Sequence, residues 1–342
     1  AANLPRAASK IPRGKLPGGA GWQPALPGVD SLSMIHVLDT QHLGRRGIIA
    51  STLLESDEGP ILFDTGPEST FENIVGELNR NGFAPRDVRH VFLSHIHFDH
   101  AGAAWRFAEL GATIYVHPRG APHLIDPAKL VASATRLYGD EMERLWGTVA
   151  AITPERVRVL DDNNVVHVAP FEIRAVATPG HASHHHVYHW DDNVFGGDVA
   201  GVRLGNGPAV PPFVPPELEI EGWRESIAKI RALNPAKLYL PHFGLVARDI
   251  PAHLDALEER VIRWSIWFRD RLRAGDDERK MTPAFADYVA EELRTAGATE
   301  SELADYDQAD PSFMAVSAAI RYWRKHHPEE IESPGAKHSD TS

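Results

Sequence analysis

The chain has 342 residues, 43% of them apolar and 24% charged, enough to bury one large globular core with additions or two smaller ones. Its formal charge is −12, from 35 basic against 47 acidic residues with His counted neutral, and that balance argues against a nucleic-acid partner. The absence of cysteine excludes disulfides and thiolate metal sites, so any metal must rest on His, Asp and Glu. Residues 1–30 scatter Pro5, Pro12, Pro17, Pro24 and Pro27 among glycines and basic residues, and read as an N-terminal arm rather than a packed element. Strands are expected from Leu32 to Asp39 and from Ile48 to Leu54, and Asp57-Glu58-Gly59 then turns the chain into a third over 60–64. Thr70 to Asn81 has the pattern of an amphipathic helix, with Phe71, Ile74, Val75 and Leu78 on one stripe.

A strand over 88–93 runs straight into Ser94-His95-Ile96-His97-Phe98-Asp99-His100-Ala101-Gly102. Three imidazoles and a carboxylate packed so closely are productive only if the backbone curls them around an acceptor of lone pairs. Neutral imidazole and carboxylate suit zinc, iron and manganese. Ala101 to Leu110 has helix-forming composition, so these donors would occupy a strand-to-helix loop, where open α/β sheets place their ligands. A further strand follows at Thr113 to Val116.

Residues 118–155 read as a helical insertion around Leu124, Leu130, Leu137, Met142 and Trp146. Strand signals resume at Val157–Leu160, Val165–Val168, Glu172–Ala177, Val187–Trp190 and Asn193–Phe195. A loop with five prolines, 201–216, leads to a helix from Leu218 to Leu233 and a strand from Lys237 to Leu240. The region 248–327 reads as a helical extension: Leu254, Leu257, Val261, Trp264, Phe268 and Leu272 share one apolar face, and Ala284–Ala296 and Pro311–Lys325 supply two more helices. The polar stretch 328–342 is expected to be a disordered tail. Two runs of strands, each followed by helices, suggest two similar halves packed sheet against sheet. Three apolar runs end in further donors: Val176-Ala177-Thr178-Pro179-Gly180-His181, Phe195-Gly196-Gly197-Asp198 and Tyr239-Leu240-Pro241-His242.

Taken together, this set resembles the metallo-β-lactamase-fold hydrolase superfamily, and within it the branch of glyoxalase II and the metal-dependent lactonases. The resemblance spans roughly residues 32–247 and is carried by Asp64 in Phe63-Asp64-Thr65-Gly66, the His95/His97/Asp99/His100 run, His181, Asp198 and His242. It implies an α/β fold, an αββα sandwich with two metal sites at one edge, forming a catalytic domain over 31–247. His95, His97 and His181 would hold one ion; Asp99, His100 and His242 would hold the other, with Asp198 bridging. Asp64 would orient the loop from behind the ligands, and one of His184, His185 and His186, with His185 preferred, would do the same. The His at position 97 distinguishes the chain from flavo-diiron proteins, and Asp198 from the commonest true β-lactamases.

The chemistry so implied is hydrolysis by a hydroxide shared between two divalent metals, zinc foremost with iron or manganese open, Asp99 passing the proton to the leaving group. No Gly-x-Ser-x-Gly elbow offers a competing nucleophile. In this fold the loop Gln41–Gly47 tends to overhang the metals, which makes His42, Leu43 and Arg45 candidate substrate contacts. The loop 201–216 would line the pocket through Val202, Val210 and Phe213 and favour a small, largely neutral ester, lactone or thioester. Phosphodiester or phosphotriester hydrolysis on the same site, and a mononuclear-iron sulfur dioxygenase, are the alternatives. Only a small-molecule partner is expected, with neither nucleic acid nor membrane, since no run approaches the ~18 apolar residues of a spanning helix. The helical regions 118–155 and 248–327 leave a lid or a homodimer open. Compartment stays open: nothing in the chain points to export, which favours cytoplasm, while periplasm or secretion would follow if a leader was removed before Ala1.

Overall fold

The structure is a computed structural model that describes residues 34–332 apart from Asn206 and Ala247. The expected arm over 1–30 and most of the expected tail, 333–342, lie outside the described residues. Two six-stranded sheets face each other. The first runs in chain order through β1 (Ile35–Asp39), β2 (Ala50–Leu54), β3 (Ile61–Phe63), β4 (His90–Phe92), β5 (Thr113–Val116) and β6 (Val157–Val159). Its first three strands pair antiparallel and its last four parallel. The second comprises β7 (Val165–Val168), β8 (Phe171–Ala177), β9 (His186–Trp190), β10 (Asn193–Phe195), β11 (Lys237–Leu240) and β12 (Gly244–Val246), antiparallel except for β10 against β11.

Strand alternation explains why these short apolar runs have two buried faces. In β3, Ile61 and Phe63 point between the sheets while Leu62 points to the helices outside; in β4, Phe92 points in and Val91 out. The inner layer is aromatic: Phe63 stacks on Phe195 of the other sheet with ring centroids 3.5 Å apart, and Phe92 meets Tyr188 edge-on at 5.2 Å. Outside the first sheet lie α1 (Phe71–Arg80), α2 (Phe98–Ala101) and α3 (Ala104–Glu109), with Ile74, Leu78 and Phe107 buried. The single helix expected from Ala101 is interrupted at Ala103, whose φ −91° and ψ 2° leave the helical range, while Gly102 lets the Glu68 amide approach to where a Cβ would lie 2.9 Å away. The insertion forms α4 (Ala121–Ile125), α5 (Ala128–Tyr138) and α6 (Met142–Trp146).

Outside the second sheet pack α7 (Ile220–Leu233) and α8 (Ile250–Arg273), the latter through the expected Leu254, Leu257, Val261, Trp264 and Phe268. Then come α9 (Glu278–Thr295), α10 (Glu300–Ala309) and α11 (Ser312–His326), whose buried residues share one core with the sheet. The extension is therefore continuous with the sandwich. Two elements are absent from the sequence reading, β12 and α10. A third finding corrects it: Pro328–Ile331, assigned to a disordered tail, forms a one-turn helix, α12. Proline at its first turn favours the start, and α8 fixes it through the Arg273 side chain on the Glu330 carbonyl and the Arg269–Glu330 ion pair. Among the described residues no helix is long and apolar enough to cross a membrane.

Candidate metal centre

Every expected donor leaves the C-terminal end of a strand at one edge of the sandwich: Asp64 after β3, residues 94–100 after β4, His181 after β8, Asp198 after β10 and His242 after β11. They converge into two groups. In the first, His95 Nε2 lies 3.0 Å from His97 Nδ1 and 3.2 Å from His181 Nε2, and the latter two are 3.0 Å apart. The second gathers Asp99, His100, Asp198 and His242, with ligand atoms within 4.8 Å of one another. There the Asp99 Oδ2 atom is 3.3 Å from both His100 Nε2 and His242 Nε2. Asp198 stands between the groups, Oδ1 3.3 Å from His100 and 3.6 Å from His242, Oδ2 3.5 Å from His181 and 4.0 Å from His95.

The hydrogen bonds behind these rings decide which nitrogens face inward bare. The Nδ1–H of His181 donates to the Pro212 carbonyl at 2.9 Å, and that of His242 to the Ile48 carbonyl at 2.9 Å. Asp64 receives Ser94 N–H at 2.7 Å, Ser94 Oγ–H at 2.8 Å and His100 Nδ1–H at 2.9 Å. With its proton given to Asp64, Ser94 Oγ accepts from His95 Nδ1–H at 3.0 Å. Nε2 of each of these four rings is therefore the nitrogen left to face the other ligand atoms. His100 Nε2 and Asp198 Oδ1 have no hydrogen-bond partner despite being buried. Such crowding of acceptors is costly unless a cation lies between them. A tetrahedral zinc with Zn–N near 2.0–2.1 Å separates its ligands by about 3.3–3.4 Å, close to the spacing of the first group.

Charge follows the same division. Burial, and then the neighbouring imidazoles, hold His95 well below the usual histidine range; burial does the same for His97 and lowers His181. Burial opposes ionisation of Asp99 and Asp198, but His100 and His242 outweigh it and hold both carboxyls below the ordinary range. One cluster thus offers three neutral imidazoles and the other two carboxylates among imidazoles, a donor set suited to divalent zinc, iron or manganese.

Local backbone serves the same end. Asp64 adopts φ 55°, a left-handed conformation that Asp tolerates better than most residues, and this aims its carboxyl under the His loop. Gly180 has φ 139°, and a Cβ there would lie 2.3–2.6 Å from backbone and Cβ atoms of Trp223. Gly180→Ala is expected to cost about 2–4 kcal/mol in chemical denaturation, with metal bound at the first group falling in parallel as His181 is displaced. His185 packs beneath the centre, accepting Val199 N–H on Nε2 at 3.4 Å and donating from Nδ1 to Thr178 Oγ1 at 2.8 Å, its ring 5.2 Å from that of His95.

From the two groups opens a cavity of about 580 Å³, with His97, Asp99 and Asp198 in its wall. The structure places His42 and Leu43 in that wall, His42 stacked on Trp146 of α6 at 5.5 Å. Burial lowers the His42 pKa to about 4. Arg45, expected to meet substrate, instead pairs with Asp305 of α10, outside the cavity wall. Val202, Val210 and Phe213 are corrected as well: all three are buried in the core with α8. Val202 and Val210 exchange backbone hydrogen bonds at 2.8 Å, and Phe213 sits between Trp223 and Trp264. Side-chain alternation consequently turns Pro212 and Val214 toward the cavity in place of Phe213. Sequence reasoning missed Tyr138 and Trp146 of the insertion and Asp310, Phe313 and Met314 of the extension, which complete the wall. In the sequence their spacing marks them only as ordinary helix or turn residues.

Residues 44–242 match the family model described as the Metallo-beta-lactamase superfamily. The chain belongs to the metallo-beta-lactamase superfamily. As a member of that superfamily it is similar to the metallo-beta-lactamase fold-containing protein ST1585 of Sulfurisphaera tokodaii, 28% identical over 165 residues, 47% of this chain and 62% of that one. It is also similar to an N-acyl homoserine lactonase of Bacillus sp, 40% identical over 78 residues, 16% of this chain and 31% of the lactonase. The alignments thus span less than two thirds of either relative. Among solved structures, a metallo-beta-lactamase family protein from Thermus thermophilus, TTHA1429, superposes with a TM-score of 0.63 at 19% identity, covering 85% of this chain and 93% of that one. The archaeal ST1585 structure gives a TM-score of 0.54 at 21% identity, covering 68% and 86%. These two likenesses establish the superfamily fold.

Proposed function

We propose that this protein is a dinuclear metallohydrolase acting on carboxyl esters, lactones or thioesters that carry an apolar group. The observation that carries the reading is the pair of donor groups sharing Asp198 at the base of a largely apolar cavity. His95, His97 and His181 would hold one divalent ion, Asp99, His100 and His242 the other, and Asp198 would face both; zinc suits the set best. Cations held there supply Lewis acidity and bring the pKa of water from 15.7 towards neutrality. Asp99 is the least buried member of its group and reaches the cavity, so with Oδ2 facing His100 and His242 its Oδ1 is the atom that would take a proton from the attacking water and pass it to the leaving oxygen or sulfur.

The wall favours an apolar acyl or alcohol part. Leu43, Leu137 and Phe313 all line this cavity, although each is more than a third exposed. The relatives named as N-acyl homoserine lactonases support a lactone among the substrates. A phosphodiester finds less support, because Arg45 is engaged by Asp305, and Lys129 and Arg144 share the wall with Glu141 and Glu217. The test is metal analysis by plasma mass spectrometry followed by turnover of nitrophenyl alkanoates, γ-lactones, thioesters and bis-nitrophenyl phosphate. About two ions per chain are expected, with carboxyl substrates turned over at least about a hundredfold faster than the phosphate. One iron per chain, or preference for the phosphodiester, would overturn the reading.

A further inference from the structure

The turn between α10 and α11 places one acid in the cavity that the metal groups do not use. The Asp310 backbone N–H closes α10 on the Tyr306 carbonyl at 2.8 Å, and Pro311 then starts α11. Its carboxyl lines the cavity. Oδ1 is sealed from solvent and has no hydrogen-bond partner, and among the described residues the carboxyl forms no ion pair. The first N–H groups of α11 receive no side-chain cap from it. A buried polar atom without a partner costs stability, and the neighbours do nothing to relieve that cost. The charged group beside it is Asp307 on α10, and Asp198 and Asp99 face it across the cavity, with Lys129, Glu141, Arg144, Glu217 and the titratable His42, His97, His123 and His184 elsewhere in the same wall.

We infer that Asp310 is a substrate-positioning residue, its carboxyl supplying a hydrogen bond to an acceptor oxygen in the polar part of the bound molecule. The inference rests on the hydrolase reading and deepens it: the substrate pairs an apolar chain with a carbonyl or ether oxygen that accepts a proton from the wall made by the extension. Its carboxyl is sealed among the residues of the wall, and burial first, with the like charge of Asp307 beside it, pushes it above its ordinary range, so it meets the substrate as a neutral acid, a donor. An acid kept neutral by an apolar site is poorly placed for stability and well placed for recognition.

The test uses the metal-loaded protein and two variants, Asp310→Asn, which keeps a neutral donor, and Asp310→Leu, which does not. Isothermal titration with decanamide, an unreactive chain with a carbonyl acceptor, is expected to give a Kd at least about tenfold weaker for D310L and within about threefold of the parent for D310N. On the ester substrates D310L is expected to raise KM about tenfold with kcat little changed and metal content equal to the parent. A carboxyl whose folded pKa exceeds its unfolded one destabilises the fold increasingly as pH climbs past the unfolded value. The Tm of D310L should therefore exceed that of the parent by at least about 2 °C at pH 8 and by less at pH 5. Equal decanamide binding by the parent and D310L, or a lower Tm for D310L at pH 8, would overturn the inference. Decanamide discrimination without turnover of any ester, lactone or thioester would sink the hydrolase reading and leave this one standing.

Discussion

Asp198→Ala is expected to lower bound metal from two ions per chain towards one and to cut turnover at least about a hundredfold. The magnitude follows from where the carboxylate stands. Its Oδ1 lies 3.3 Å from His100 and 3.6 Å from His242, and its Oδ2 lies 3.5 Å from His181. Among the described donors it alone has oxygens facing both groups. Removing it leaves the first group with three imidazoles, still a sufficient set for one ion, while the second keeps Asp99, His100 and His242 without the charge that links them. The backbone that presents residue 198 is closely packed: at Gly197, φ 52°, a Cβ would lie 2.3 Å from His185 Nε2. Metal analysis of the dialysed variant checks the prediction; two ions per chain and undiminished turnover would remove Asp198 from the centre.

Asp64→Ala should act differently, through the backbone. This side chain is buried and accepts three hydrogen bonds, two from Ser94 and one from His100. Truncation leaves three donors unpaired beneath the His loop, which is expected to cost about 2–4 kcal/mol in denaturant unfolding. It also frees the His100 ring and, through Ser94, the His95 ring to turn. Metal affinity should fall about 10–100-fold, measured by competition with a chelator of known affinity. Ser94→Ala removes the link to His95 but not the bond to His100, so its loss should be smaller than that of Asp64→Ala. Equal losses would mean that the two residues act through packing rather than through this hydrogen-bonded chain.

The donors were legible in the sequence because each follows an apolar run that reads as a strand: Val91-Phe92-Leu93 before the His loop, Val176-Ala177 before His181, Val194-Phe195 before Asp198, Leu238-Tyr239-Leu240 before His242. Strand ends at one edge of a sheet are forced together by pairing, so local pattern and global position agree. The cavity wall was not legible for the opposite reason. Whether Phe213 or its neighbours Pro212 and Val214 face substrate depends on how the loop is held, by the Val202–Val210 bridge, and nothing in five prolines dictates that pairing. Asp310 is a helix-ending acid in sequence and a cavity residue only because α10 and α11 fold back over a loop more than 250 residues earlier, where Gln308 donates to the His42 carbonyl at 3.2 Å. α10 escaped notice because Leu303 and Tyr306 are nearly its whole apolar face.

That stitching of the last helices onto the first loop has a practical meaning for anyone trimming or recombining the gene. A fragment cut to the family segment, 44–242, would lose β1, β12 and α8 to α11, and with Trp264 of α8 the cover over Phe213. Such a minimal version should precipitate rather than work. Conversely, the donor groups sit on strand ends while much of the cavity wall comes from α5, α6 and the α10–α11 turn, so exchanging those helices among cousins of this chain is expected to alter substrate preference and leave the donor groups in place.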